Sequence, residues 1–174
     1  MSDYVPFASA VYFTMLGLLA FARGMDFLST WIATPNLVLE GNPLAKKLGW
    51  KWGILVNIVL CFAFAFSPLP AIVISTTSVL VAARNFQQAW LMRSLGEELY
   101  RTWHVARLRE TNGFLFVFCL LAQTALIGLV GAALIFFSRV NAVPMAIGIG
   151  VVGYAGAVTF YTLLAVWRMR RIPT

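Results

Sequence analysis

In a chain that is otherwise strongly apolar, the segment Arg23–Pro43 (RGMDFLSTWIATPNLVLEGNP) gathers an arginine, two carboxylates, two asparagines and three hydroxyls. A helix entering this segment carries Arg23, Asp26 and Thr30 on one face at spacings of three and four residues. Helical geometry is expected to end near Thr34, because Pro35 disfavours αR in the residue before it. Glu40, Asn42 and Pro43 follow in a turn able to fold back under that face. Such a set can bind a cation, a proton or a small polar solute, or can act as a neutral polar lock between helices. No Ser/His/Asp set, H-E-x-x-H run or phosphate loop accompanies it, so no catalytic residue and no cofactor are assigned.

The elements that position these groups are apolar. The chain has 174 residues, 61% hydrophobic and 11% charged, with a mean hydropathy of +0.85. Gly113–Ser138 and Asn141–Trp167 contain no charged residue, and each exceeds the ~20 residues that cross a hydrocarbon core as a helix. The expectation is an all-α, polytopic integral membrane protein forming a single membrane domain over 1–174. It has five transmembrane helices near 5–31, 52–66, 71–92, 113–137 and 143–167. The N-terminal MSDYVP lacks a basic n-region, so the first segment reads as retained rather than as a signal peptide. Segment two is short, which leaves a re-entrant hairpin of segments two and three as the alternative to two crossings. The prolines of Ser67–Pro70 read as a tight turn between them.

Between segments three and four, 93–112 is polar but patterned. Leu95, Leu99, Trp103 and Ala106 recur at helical spacing, Tyr100 stands beside them, and Glu97 precedes Arg101 by four residues. This reads as an amphipathic helix in the cytoplasmic interface, with His104 on its solvated face. In segment five, Ala146/Gly150 and Gly153/Ala157, with Gly156, form small-xxx-small patterns expected to pack closely on a neighbouring helix. Gln123 and Thr124 read as interhelical hydrogen-bonding residues. Cys61 and Cys119 lie in apolar runs and read as packing residues.

The formal net charge of +7 does not point to nucleic acid, because the basic residues flank apolar segments instead of forming one basic face. Lys46, Lys47 and Lys51 follow segment one; Arg93, Arg101, Arg107 and Arg109 follow segment three; Arg168, Arg170 and Arg171 follow segment five. Only Arg139 falls on the other side. The positive-inside rule then places the N-terminus outside and the C-terminus in the cytoplasm, in the cell (inner) membrane. The same basic residues are suited to anionic lipid head groups.

Orientation also sets the depth of Arg84. It lies roughly 20 Å along segment three from Pro70, where an uncompensated charge costs ~2.5–3.5 kcal/mol on the insertion scale. It is therefore expected to pair with Asp26 or Glu40, with Arg23 compensating the other carboxylate. Asn42, Asn85 and Gln88 would complete the hydrogen bonding, and Asn57 could join it. Two acids against two arginines leave no net charge, which argues against a divalent metal.

The pattern D-x-x-S-T at 26–30, followed by E-x-N-P at 40–43, resembles a family of small prokaryotic membrane proteins of unknown function. There an Asp and a Thr near the end of the first helix are followed by E-x-N-P and a two-helix hairpin. The resemblance spans roughly residues 11–92, rests on Asp26, Thr30, Glu40, Asn42 and Pro43, and implies a shared local structure but no activity. Two functions follow as expectations. One is an ion-, proton- or solute-handling protein, working as a homo-oligomer because five helices barely enclose a pathway. The other is a structural subunit of a larger membrane complex.

Overall fold

The computed structural model describes residues 4–138 and 141–171, and among these every regular element is helical: α1 (Ala10–Ala33), α2 (Pro43–Phe64), α3 (Pro68–Leu95), α4 (Glu97–Glu110), α5 (Gly113–Phe137) and α6 (Ala142–Arg171). Five of them, all but α4, are long and apolar enough to cross a membrane. That includes α2, which is longer than the apolar run suggests.

The helix boundaries depart from the sequence expectation for local reasons. α1 begins at Ala10, not near Val5, because the Ser9 hydroxyl accepts the Tyr12 N–H at 3.2 Å and caps it. The preceding residues instead run back to the α2–α3 turn, where the Val5 N–H donates to the Phe66 carbonyl at 2.9 Å. Pro68 and Pro70 are not in a turn; they occupy the first turn of α3, where N–H groups have no intrahelical acceptor and proline loses nothing. α2 starts at Pro43, where the Asn42 side-chain Oδ1 accepts the Leu44 N–H at 3.0 Å and caps the helix. It is broken at Gly49, whose φ of 64° and ψ of −172° suit glycine best. A short basic helical turn thus precedes the long apolar part.

α3 is the central helix, packed between α1 and α6, and α5 packs on the far side of α6. The order is α1–α3–α6–α5, with α2 resting more loosely against α1 and α3. The α6 glycines explain the middle of this row. A Cβ on Gly148 would lie 2.6 Å from the Gly131 carbonyl oxygen of α5, and one on Gly150 would lie 2.9 Å from the Val73 carbonyl oxygen of α3. These two positions are two residues apart, on opposite sides of the helix, so α6 is clasped on both. Ala146 is also buried. Gly153 and Gly156 are exposed; a Cβ at Gly153 would touch Thr77 Oγ1 of α3 at 3.9 Å, and one at Gly156 would meet nothing within 4 Å; Ala157 is half-buried. Of the small residues expected to pack closely on a neighbouring helix, Ala146 and Gly150 do so within the chain, joined by Gly148 and by Gly131 of α5, whereas Gly156 does not.

Hydroxyls tie the same row together. Thr77 Oγ1 lies 3.0 Å from the Gly150 carbonyl oxygen, joining α3 to α6. Thr159 donates to Thr124 at 2.9 Å, joining α6 to α5 as expected for Thr124. A separate apolar cluster of Val5, Tyr12, Leu19, Cys61, Ala65 and Ala71 closes the end where α2 turns into α3. α4 buries Tyr100 and Leu108. Leu99 and Trp103, on the apolar stripe read from the sequence, are 59% and 41% exposed.

Candidate functional site

Arg23 is the hub of the polar cluster. Its Nη1 donates to Asp26 Oδ2 at 2.9 Å and to Ser78 Oγ at 3.0 Å, and its Nε donates to Asn57 Oδ1 at 2.5 Å. One guanidinium therefore joins α1, α2 and α3. The i,i+3 spacing on α1 brings Asp26 within reach, and the rigid fork of guanidinium donors serves acceptors in different directions. Asn57 is oriented by its own amide N–H, which donates to the Gly53 carbonyl at 2.8 Å. Beneath Arg23, the Phe27 ring centroid lies 6.0 Å from Cζ, a weak cation–π contact. Phe27 in turn lies against Gly53 and Trp50. Trp50 Nε1 donates to the Pro35 carbonyl at 2.8 Å, anchoring the start of α2 to the end of α1.

A second layer lies one turn along α1. Asn85 Nδ2 donates toward Ser29 Oγ at 3.3 Å and Thr30 Oγ1 at 3.4 Å, while the buried Ser29 hydroxyl donates to the Asp26 carbonyl at 2.8 Å. Glu40 Oε1 accepts the Asn42 N–H at 2.7 Å, and Glu40 lies close enough for its charge to act on Asp26. The structure thus joins Arg23 to Asp26, Asn57 and Ser78, and Asn85 to Ser29 and Thr30, while Glu40 bonds to Asn42 within its own loop. Gln88 is exposed.

Arg84 does not pair with Asp26 or Glu40. Its Nη2 reaches Thr162 Oγ1 of α6 at 3.4 Å, because α3 lies between α1 and α6 and this position points to the α6 side. Arg23, only three residues from Asp26 on the same helix, takes the carboxylate instead. The Glu97–Arg101 pair is likewise replaced. Glu97 Oε1 accepts the Asn36 N–H at 2.8 Å and ties α4 to the α1–α2 loop, and the i,i+3 pair of α4 is Arg107–Glu110 at 2.7 Å.

Ser29, Ser78 and Glu97 were not assigned to the site by sequence reasoning. The run Ser75–Ser78 held the signal for one of them, since consecutive hydroxyls on a helix must point to different neighbours. Ser78 reaches α1 and Thr77 reaches α6, while the buried Ser75 hydroxyl has no hydrogen-bond partner among the described residues. Among the described residues no three His, Cys, Asp or Glu side chains gather as a metal centre.

Comparisons with protein-family models, with curated proteins and with solved structures return no match.

Proposed function

We propose that this is an integral membrane protein, with the α4 end in the cytoplasm, that handles a proton or a small monovalent cation at the Asp26–Glu40 carboxylate pair. The observation carrying this reading is the ion pairing at the site. Arg84 donates to Thr162 and not to a carboxylate, and Arg23 pairs with Asp26, so among the described residues Glu40 has no ion-pair partner. A carboxylate without a paired cation suits a monovalent cation or a proton better than a divalent ion. Asp26 Oδ2 and Glu40 Oε1 already have donors, which leaves the other oxygen of each carboxylate as the one offered to a ligand. The D-x-x-S-T and E-x-N-P motifs supply the two sides of this site, in keeping with the shared local structure that the family resemblance implies.

The orientation rests on the basic residues already named. The outward Leu99 and Trp103 of α4, beside exposed Arg93 and Arg101, suit an interfacial helix on an anionic leaflet. A homo-oligomer fits the small number of helices.

The test is flux of protons, Na⁺ and K⁺ in proteoliposomes. Asp26→Asn and Glu40→Gln should abolish the flux of the intact protein; Glu40→Gln should leave its thermal unfolding nearly unchanged, whereas Asp26→Asn, which takes the carboxylate from Arg23, should lower it. Undiminished flux in either variant would overturn the reading. A second reading, a structural subunit with a polar lock, is favoured by one observation, the bonding of Arg23 to three helices at once. It predicts no flux in the wild type and a lower unfolding temperature for Arg23→Met.

A further inference from the structure

The edge helix α5 has an outer face that the chain itself leaves uncovered. Its inner face buries Leu120, Thr124 and Gly131 against α6. On the outside, Cys119, Gln123, Leu126, Val130, Ala133 and Phe137 are all exposed, and they follow one another at alternating spacings of four and three residues. That is the seam spacing of a left-handed helix pair.

Apolar members of the seam are at ease in lipid, but Gln123 is not. It lies ~15 Å along the helix from Gly113 and ~21 Å from Phe137, midway along the most apolar of the five candidate spans. From there an amide cannot reach either interface. It carries two N–H donors and a carbonyl acceptor, and it makes no hydrogen bond among the described residues. In hydrocarbon, where water cannot serve, such a group requires a partner from another helix.

We propose that the outer face of α5 packs on α5 of a second copy of this chain, with the two Gln123 amides hydrogen-bonded to each other across a two-fold axis. The second copy is the occupant that the chemistry favours. A primary amide is self-complementary, since each can donate to and accept from the other, and a two-fold axis along the seam brings equivalent positions face to face. The face carries no charge that would select a charged partner. The exposed Gly153 and Gly156 of α6, by contrast, present no polar group that needs one. This inference is independent of the carboxylate site and needs only that α5 spans the bilayer.

Cys119 lies one turn from Gln123 on the same seam and is a free, exposed thiol, whereas Cys61 is buried, so the chain carries its own reporter. Full-length protein in lipid nanodiscs and in native membranes would be oxidised with copper–phenanthroline, and the dimer dissociation constant measured by fluorescence transfer on dilution into lipid bicelles. The expected result is a Cys119-linked dimer that disappears in Cys119→Ser. Gln123→Leu should raise the dissociation constant roughly 3–30-fold, and Gln123→Asn should restore most of the affinity. Gln123→Leu adds no polar group to the span, and an unchanged circular dichroism melt would show that it still folds. A monomer at all dilutions, a Gln123→Leu dimer as tight as the wild type, or a different protein bound to α5 would overturn the proposal. So would a dimer broken by Gly156→Leu and not by Gln123→Leu.

Discussion

A guanidinium in the middle of an apolar helix is stable only if its donors are met. Arg23 meets this demand with a carboxylate, an amide and a hydroxyl drawn from three helices. Removing one partner strands the others, so the cluster behaves as a unit. His104 shows the opposite case, a titratable group outside the candidate spans. Its ring stacks on Tyr100 at 5.6 Å and 10°, and burial holds its pKa below the usual histidine value. The folded state therefore favours the neutral ring. The stability gained is complete above the ordinary histidine pKa of about 6.5 and is lost as pH falls through that value toward the lower folded one. Thermal unfolding followed between about pH 7.5 and 5 should show a decline that is shallower in His104→Phe, which keeps the stacking and removes the titration. An identical pH slope in the variant would show that His104 contributes nothing.

Among the elements, α6 is held on both sides, because it presents Gly148 to α5 and Gly150 to α3 where those helices come closest. Gly148→Ala would place a methyl group 2.6 Å from a backbone oxygen of α5. Backbone cannot swing aside as a side-chain tip can, so the helices must separate, at a cost of about 1–3 kcal/mol. Gly156→Ala enters open space and should leave stability unchanged or raise it by up to about 1 kcal/mol through helix propensity. Unfolding of the two variants in the same detergent tests both expectations, and equal loss in both would contradict the clasped arrangement. The looser helix α2 is held mainly by polar contacts at one end, through Asn57 and Trp50, and by the apolar cluster around Cys61 at the other.

For the whole molecule, the decisive property is the side of the membrane to which each end is assigned. With the proposed orientation, a membrane-impermeant maleimide applied to intact cells should label Phe7→Cys and spare Lys47→Cys and Thr111→Cys, all exposed positions, in a background lacking the native cysteines. The reverse pattern would invert the topology and move the carboxylate site to the outer half. The number of long apolar helices was legible in the chain because hydropathy over some twenty residues is a property of each stretch by itself. So were the approach of Arg23 to Asp26, which one helical turn brings about, and that of Glu40 to Asn42, which lie two residues apart in one loop. The partner of Arg84 was not legible. It depends on the lateral order α1–α3–α6 and on how far α3 is rotated within it, and a helix that is apolar on every side carries no periodicity that specifies either. For the same reason composition identified α6 as rich in small residues and the Ala146/Gly150 spacing as a packing pair, while only the packed row decided that Gly148 is enclosed with them and that Gly156 looks outward.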